Sequence, residues 1–279
     1  MKGAIINQPT QSYLRINVTF LRPLEKKALN WLAERMPAWV TPDHLTALGM
    51  VASVLIAASL VLTNFSPAYL WLASFGVVLN WFGDSLDGTL ARYRKTERSN
   101  YGYYIDHAVD TLNEVLVFLA LGLSPYVRME LAGLALVAYL LMSIQVFLYT
   151  EVKGVFQISF ARIGPTEIRV LMILANMLVF FVGNPTVRTK FGFFTVYDFV
   201  IVFLSLLLFG AFVVMTILRA RELAAYDSHM LSLKAERDRR KAERAAKRAE
   251  KAALKAGGWM RKTKERQSSV ANRTDANQV

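Results

Sequence analysis

The chain has 279 residues, of which 54% are hydrophobic and 19% charged, and it carries a formal net charge of +12. That is too apolar for a typical soluble domain, so the surplus Lys and Arg must sit outside a set of apolar spans. There is no cysteine, which rules out disulfides and leaves the compartment unmarked by redox chemistry.

Residues 1–19 read as a polar lead, and Met1 to Phe20 lacks the apolar core of a signal peptide. From Phe20 to Met36, Leu21, Leu24, Ala28, Leu29, Trp31 and Leu32 interleave with Arg22, Lys26, Lys27 and Arg35. This pattern predicts an amphipathic helix lying in a membrane surface, with packing on a partner as the alternative. Trp31 and Trp39 suit an interfacial belt. Thr41 is placed as the N-cap of the next helix, with Pro42 at its first position.

Six spans of bilayer length follow, at about 44–63, 68–93, 102–123, 129–151, 166–184 and 196–218. Pro67, Pro125, Pro165 and Pro185 fall at the breaks between them. Basic residues gather in the N-terminal flank, in the turn with Arg92, Arg94, Lys95 and Arg98, around Lys153 and Arg162, and in the tail. The opposite connections hold only Arg128, Arg188 and Lys190, so both termini are expected on the cytoplasmic side. Residues 219–266 hold 16 Lys/Arg against 7 Asp/Glu, which gives +9. Lys234 to Lys255 reads as a long solvated or lipid-bound helix, and the chain beyond Gly257-Gly258 as disordered. No aromatic platform accompanies this charge, so no nucleic-acid partner is expected. The layout is thus 1–39 lead and surface helix, 40–221 six-span domain, and 222–279 basic tail. The fold class is an all-α integral membrane protein.

The second and third spans carry the chemistry. Asp84, Asp87, Gly88, Ala91 and Arg92 fall on one face of a helix; Gly102, Asp106 and Asp110 fall on one face of the next. A short polar turn separates them, which predicts a helical hairpin with facing acidic stripes. Four carboxylates at the edge of membrane-length segments demand a cation, and hard oxygen ligands suit Mg²⁺, Mn²⁺ or Ca²⁺, with enough donors for two ions.

The spacing D-x2-D-G-x2-A-R, nine residues, G-x3-D-x3-D resembles the signature of the CDP-alcohol phosphotransferases, with all eight fixed positions present. The resemblance covers roughly residues 40–220. It implies an enzyme of phospholipid biosynthesis that moves a substituted phosphate from a CDP-linked donor to an alcohol and releases CMP. It also implies a homodimer in a bacterial inner membrane or an endomembrane, with the site on the cytoplasmic side. Asp84, Asp87, Asp106 and Asp110 would bind two Mg²⁺ or Mn²⁺ ions, with Asp110 also a general base. Gly88 would let phosphate or ribose approach the backbone, Arg92 would fork onto phosphate oxygens, and Gly102 would complete the nucleotide site. Thr41-Pro42-Asp43-His44-Leu45-Thr46 is similar to the family's first-span entry, which assigns Asp43 and Thr46 to the nucleotide, although Asp43 replaces the usual Asn.

His107 stands three residues before Asp110 and its side chain suits proton removal near neutrality, as base or as orienter of a neighbour. The pair Asp106-His107 and the stretch Gly164-Pro165-Thr166-Glu167 resemble the choline and ethanolamine phosphotransferase branch. A phosphatidyl transfer from CDP-diacylglycerol to a polar alcohol is the alternative within the family. A divalent-cation transporter is the remote one; no internal repeat supports it, and the acids cluster at one membrane face. Asn80, Asn113 and Glu114 either line the cavity or make hydrogen bonds within the bundle, and Arg162 and Arg169 either meet a lipid phosphate or snorkel to headgroups.

Overall fold

The computed structural model describes residues 14–16, 19–153, 155–157, 164–190 and 192–275. The elements run β1 (Leu14–Ile16), α1 (Arg22–Arg35), α2 (Pro42–Leu62), α3 (Tyr69–Arg94), α4 (Ser99–Leu123), α5 (Met129–Lys153), β2 (Val155–Gln157), α6 (Pro165–Val182), β3 (Thr186–Thr189), β4 (Gly192–Thr195) and α7 (Val196–Asp275). They form two compact units, Met1–Thr216 and Ile217–Val279.

The protein is helical, as expected, with two small additions. β1 pairs in parallel with β2, and β3 pairs with β4 as an antiparallel hairpin in register Thr186 with Thr195. Thr, Val and Phe favour the pleated conformation, and Gly192 takes the positive φ that the hairpin needs.

Among the described residues, four helices are long and apolar enough to cross a membrane: α2, α5, α6 and the N-terminal part of α7. Helices α3 and α4 are as long, but the charges of the motif interrupt their apolar character. Large apolar side chains stay exposed along the later helices, among them Leu148, Leu174, Phe181, Phe203 and Leu206. Such a surface suits lipid rather than water.

Helix α2 is the centre of the first unit, packing along both α3 and α4. Its start follows the sequence closely: Thr41 Oγ1 accepts from the His44 amide, and His44 Nδ1 accepts from the Thr41 amide, each at 3.3 Å. That is a capping box with an imidazole in the usual carboxylate's place. The α2–α3 seam is backbone-close because glycines form it. A Cβ on Gly83 would stand 2.6 Å from the Gly49 nitrogen and 2.6 Å from the Leu45 carbonyl oxygen. One on Gly76, two turns earlier, would meet Ile56 Cγ1 at 2.8 Å.

One apolar cluster gathers Ile56, Leu60, Leu70, Val77, Ala120, Tyr126 and Val179; a second joins Leu29 and Ala33 of α1 to Leu45, Leu86 and Leu90. The amphipathic helix therefore lays one face on α3, while Trp31 and Trp39 stay exposed. It is also tied at Glu25, whose Oε1 accepts from Trp81 Nε1 at 3.1 Å and from Thr166 Oγ1 at 2.5 Å.

Asp198, fully buried at the start of α7, accepts from the Thr195 and Arg128 amides and so joins the hairpin to the α4–α5 connection. One expectation is corrected: α7 continues as helix through Gly257-Gly258 to Asp275. Two glycines cost about 1 kcal/mol each in a helix, and the Ala-, Lys- and Arg-rich flanks outweigh them. In the second unit, Arg240 pairs with Glu236 at 2.5 Å and Arg239 with Glu243 at 3.3 Å, both at i, i+4 spacing.

Candidate active site

Every site residue expected from the sequence lines one cavity of about 3200 Å³ in the first unit. That is several times the volume of an ordinary small-molecule pocket, so it has room for two substrates side by side. Its walls come from α2, α3, α4, α5, α6 and α7, and the acids converge on it from α3 and α4.

Helices α3 and α4 are joined by residues 95–98, where Lys95 takes a left-handed conformation with φ 57°. The Thr96 amide then reaches the Ala91 carbonyl at 2.9 Å, closing the end of α3. Arg94 reaches back from that end to the carbonyls of Val40, Met36 and Pro37, at 3.1 Å to Met36 and 2.8 Å to Pro37. So Arg94, read as a membrane-flank charge, instead pins the α1–α2 connection to the site. The two motif helices are not packed flush against each other as the expected hairpin would have them; α2 contacts both and the cavity separates their acidic faces.

Each motif acid has a different setting. Asp87 Oδ2 accepts a 2.6 Å hydrogen bond from Thr46 Oγ1 of α2, and its Oδ1 accepts from the Gly88 amide at 2.5 Å. Asp84 Oδ2 accepts from Arg169 Nη2 of α6 at 2.5 Å. Arg169 Nε also donates to Asn80 Oδ1 at 3.1 Å, and Asn80 in turn donates to the Gly49 carbonyl and to Ser53 Oγ. The chain Ser53–Asn80–Arg169–Asp84 therefore cross-links α2, α3 and α6 at the level of the first motif acid. Asp110 lies within Coulombic reach of Asp84, Asp106 and Arg169. Ligand atoms of Asp106, His107 and Asp110 all lie within 4.8 Å of one another.

His107 sits among aromatic rings, edge-on to Tyr103 at 4.2 Å and tilted against Phe147 at 5.0 Å. The rings fix the imidazole plane. Arg92 folds back over Gly88, where a Cβ would come within 3.3 Å of Arg92 Nη1, and Arg92 Nη2 donates to Thr89 Oγ1 at 3.1 Å. Gly102 faces open space: beyond its own helix backbone and chain neighbours, no described atom lies within 4 Å of where its Cβ would be. Asp43 lies exposed at the rim in an ion pair with Arg98 of the α3–α4 turn.

These residues fit a divalent cation. Among the described residues, Asp106 and Asp110 bring hard carboxylate ligands together beside His107, while Asp84 and Asp87 line the same cavity from α3 without joining that group. Arg169 forms an ion pair with Asp84 and lies within Coulombic reach of Asp110.

Two lining residues also hold the frame. Asn80, expected either to line the cavity or to hydrogen-bond within the bundle, does both. Glu167 accepts from the Leu21 amide at 2.8 Å and the Gly164 amide at 3.0 Å, so it caps α6 and ties the start of α1 to it. Arg169, expected either to meet a lipid phosphate or to snorkel to headgroups, pairs with Asp84. Arg162 lies outside the described residues.

Residues 39–216 match the family model for CDP-alcohol phosphatidyltransferase. Cholinephosphotransferase 1 of Bos taurus is 29% identical over 185 residues, covering 61% of this chain and 43% of that protein. The CDP-diacylglycerol–serine O-phosphatidyltransferase of Encephalitozoon cuniculi is 38% identical over 110 residues, covering 34% of this chain and 28% of that protein. The chain thus spans less than half the length of these curated relatives. Among solved structures, the Mycobacterium tuberculosis phosphatidylinositol phosphate synthase, in complex with manganese and citrate, aligns with a TM-score of 0.43 and 21% identity over 72% of this chain and 88% of that one.

Proposed function

This chain belongs to the CDP-alcohol phosphatidyltransferase family, and from that membership we propose that it transfers a substituted phosphate from a CDP-linked alcohol to an alcohol acceptor in a membrane. The observation that carries the reading is the convergence of all eight motif positions on one cavity. The acceptor hydroxyl oxygen forms a bond to the phosphorus that bears the transferred alcohol. The bond from that phosphorus to the bridging oxygen breaks, and CMP leaves with the electron pair. The hydroxyl proton passes to Asp110 or to His107, which share one end of the cavity.

Asp84, Asp87, Asp106 and Asp110 would hold two Mg²⁺ or Mn²⁺ ions. When bound, such ions supply neutralisation of the diphosphate charge. Thr46 orients the Asp87 carboxylate through its 2.6 Å hydrogen bond. Arg92 and the bare backbones of Gly88 and Gly102 face the phosphate and ribose, and Asp43 stands at the nucleotide's entry. On this reading residues 40–221 are the transferase and 222–279 a basic tail, with α3 and α4 spanning alongside the four more apolar helices. The proposal puts both termini and the motif on the cytoplasmic side, from the distribution of Lys and Arg, and takes the protein as a homodimer.

For the donor, Asp106-His107 favours a CDP-choline-like or CDP-ethanolamine-like molecule, and the similarity to cholinephosphotransferase 1 supports it. The second reading, a CDP-diacylglycerol donor with a polar alcohol acceptor, is favoured by the likeness to the serine phosphatidyltransferase. The test incubates the purified protein with a panel of CDP-alcohols and acceptors and reads CMP release. CMP should appear with Mg²⁺ or Mn²⁺ and vanish in excess EDTA; release undiminished by EDTA overturns the metal-dependent mechanism.

A further inference from the structure

One helical turn beyond Asp110, the same face of α4 turns from the motif to a different kind of polar surface. Asn113 and Glu114 line the cavity there, with Tyr139 and Ser143 of α5 opposite them. The Asn113 Oδ1 and Glu114 Oε2 atoms are buried and accept no hydrogen bond among the described residues. Glu114 Oε1 has a single long contact, 3.5 Å from Ser143 Oγ. The aromatic wall is Phe118 and Tyr139, whose ring centroids stand 5.9 Å apart.

Buried acceptors are nearly always paired, and two adjacent ones without donors inside a large cavity point to a donor that arrives from outside. An ionisable residue at this depth in a membrane-length helix is itself a functional signal. Among the described residues no Lys or Arg forms an ion pair with Glu114, in contrast to Asp84. The surroundings therefore disfavour a phosphate and favour a positive group that donates hydrogen bonds, with aromatic faces beside it.

We propose that Asn113 and Glu114 form a subsite for a primary ammonium group, the amino end of a small amino alcohol. This rests on the transferase reading above and names the alcohol's class. The ammonium has two sources: the head alcohol of a CDP-linked donor, or a free amino alcohol serving as acceptor. In either case the amino end points one turn away from the reacting phosphorus, and its hydroxyl or phosphoester end lies toward Asp110. Glu114 supplies charge, Asn113 Oδ1 a second acceptor, and the rings exclude water.

The test measures binding to the full-length protein in detergent, with Mn²⁺ present, for matched pairs that differ in the ammonium. CDP-ethanolamine against CDP-glycerol reads the donor arm, and ethanolamine against ethylene glycol the acceptor arm. The wild type should prefer the ammonium compound by about tenfold to a hundredfold in one arm, which identifies the source. Glu114→Gln should reduce that preference to less than about threefold, and Asn113→Asp, adding a second carboxylate, should increase it. CMP, which has no amine, reads the nucleotide half separately. If CMP fails to bind, the transferase reading falls, while the ethanolamine arm still reads the subsite. Equal binding within both pairs overturns the ammonium subsite, as does a preference that survives in Glu114→Gln. Should Glu114→Gln fail to fold, an unchanged preference in Asn113→Asp overturns it.

Discussion

Replacing Arg169 by Gln tests whether the bridge to Asp84 stands in for a bound cation. The Arg169 side chain is 16% exposed and that of Asp84 22%, so the pair is largely withdrawn from water. Removing one partner of a buried ion pair costs about 3–5 kcal/mol, because the other charge stays behind uncompensated. The partial exposure of both groups places the cost near the lower limit, about 3 kcal/mol. This full cost applies only while nothing else neutralises Asp84.

A divalent ion at the motif removes that part of the loss, leaving the Arg169 to Asn80 hydrogen bond at 3.1 Å, worth about 1 kcal/mol. The difference, about 2 kcal/mol, must appear as tighter metal binding by the variant, roughly thirtyfold. Thermal unfolding in EDTA and in saturating Mn²⁺, with a direct Mn²⁺ titration by electron paramagnetic resonance, reads both sides of this cycle. Arg169→Gln should unfold well below the wild type in EDTA and close to it in Mn²⁺. An equal loss of stability in both conditions, with unchanged Mn²⁺ affinity, would refute the idea that arginine and metal compete for Asp84.

Two further substitutions separate frame from site. Gly83→Ala puts a methyl 2.6 Å from backbone atoms of α2, which cannot rotate away, and should cost about 1–3 kcal/mol in unfolding stability. Gly102→Ala meets no described atom within 4 Å beyond its own helix backbone and chain neighbours, so it should unfold like the wild type yet bind CMP more weakly. His107→Gln should keep metal and CMP binding and lose about 10²–10⁴-fold in rate, whereas Asp110→Asn should lose metal affinity as well. Near-wild-type turnover in His107→Gln leaves Asp110 as the base.

What the sequence made legible follows helical geometry. Spacing alone placed Asp84, Asp87, Asp106 and Asp110 on faces that meet one cavity, because a 3.6-residue period fixes a face wherever the helix ends up. The Thr41 cap and the α3–α4 turn were equally local, written in a few adjacent residues. The contacts that escaped are long-range: Arg169 with Asp84, 85 positions apart, and Thr46 with Asp87, 41 apart. A helix pattern names the face a residue shares, and says nothing of which helix stands opposite.

The glycines carry the missing information. Gly83 immediately precedes the first motif acid, and its bare backbone lies against Gly49 and Leu45. One turn earlier along α2, Thr46 then comes within 2.6 Å of Asp87, and on the neighbouring turn the Gly49 carbonyl receives Asn80, the support of Arg169. A side chain at Gly83 would move α2 outward and break both links together. The positions of the two α3 acids are thus set by a contact that contains no acid at all. The motif records the chemistry of the site, and the α2–α3 glycine seam beside it determines where that chemistry is held.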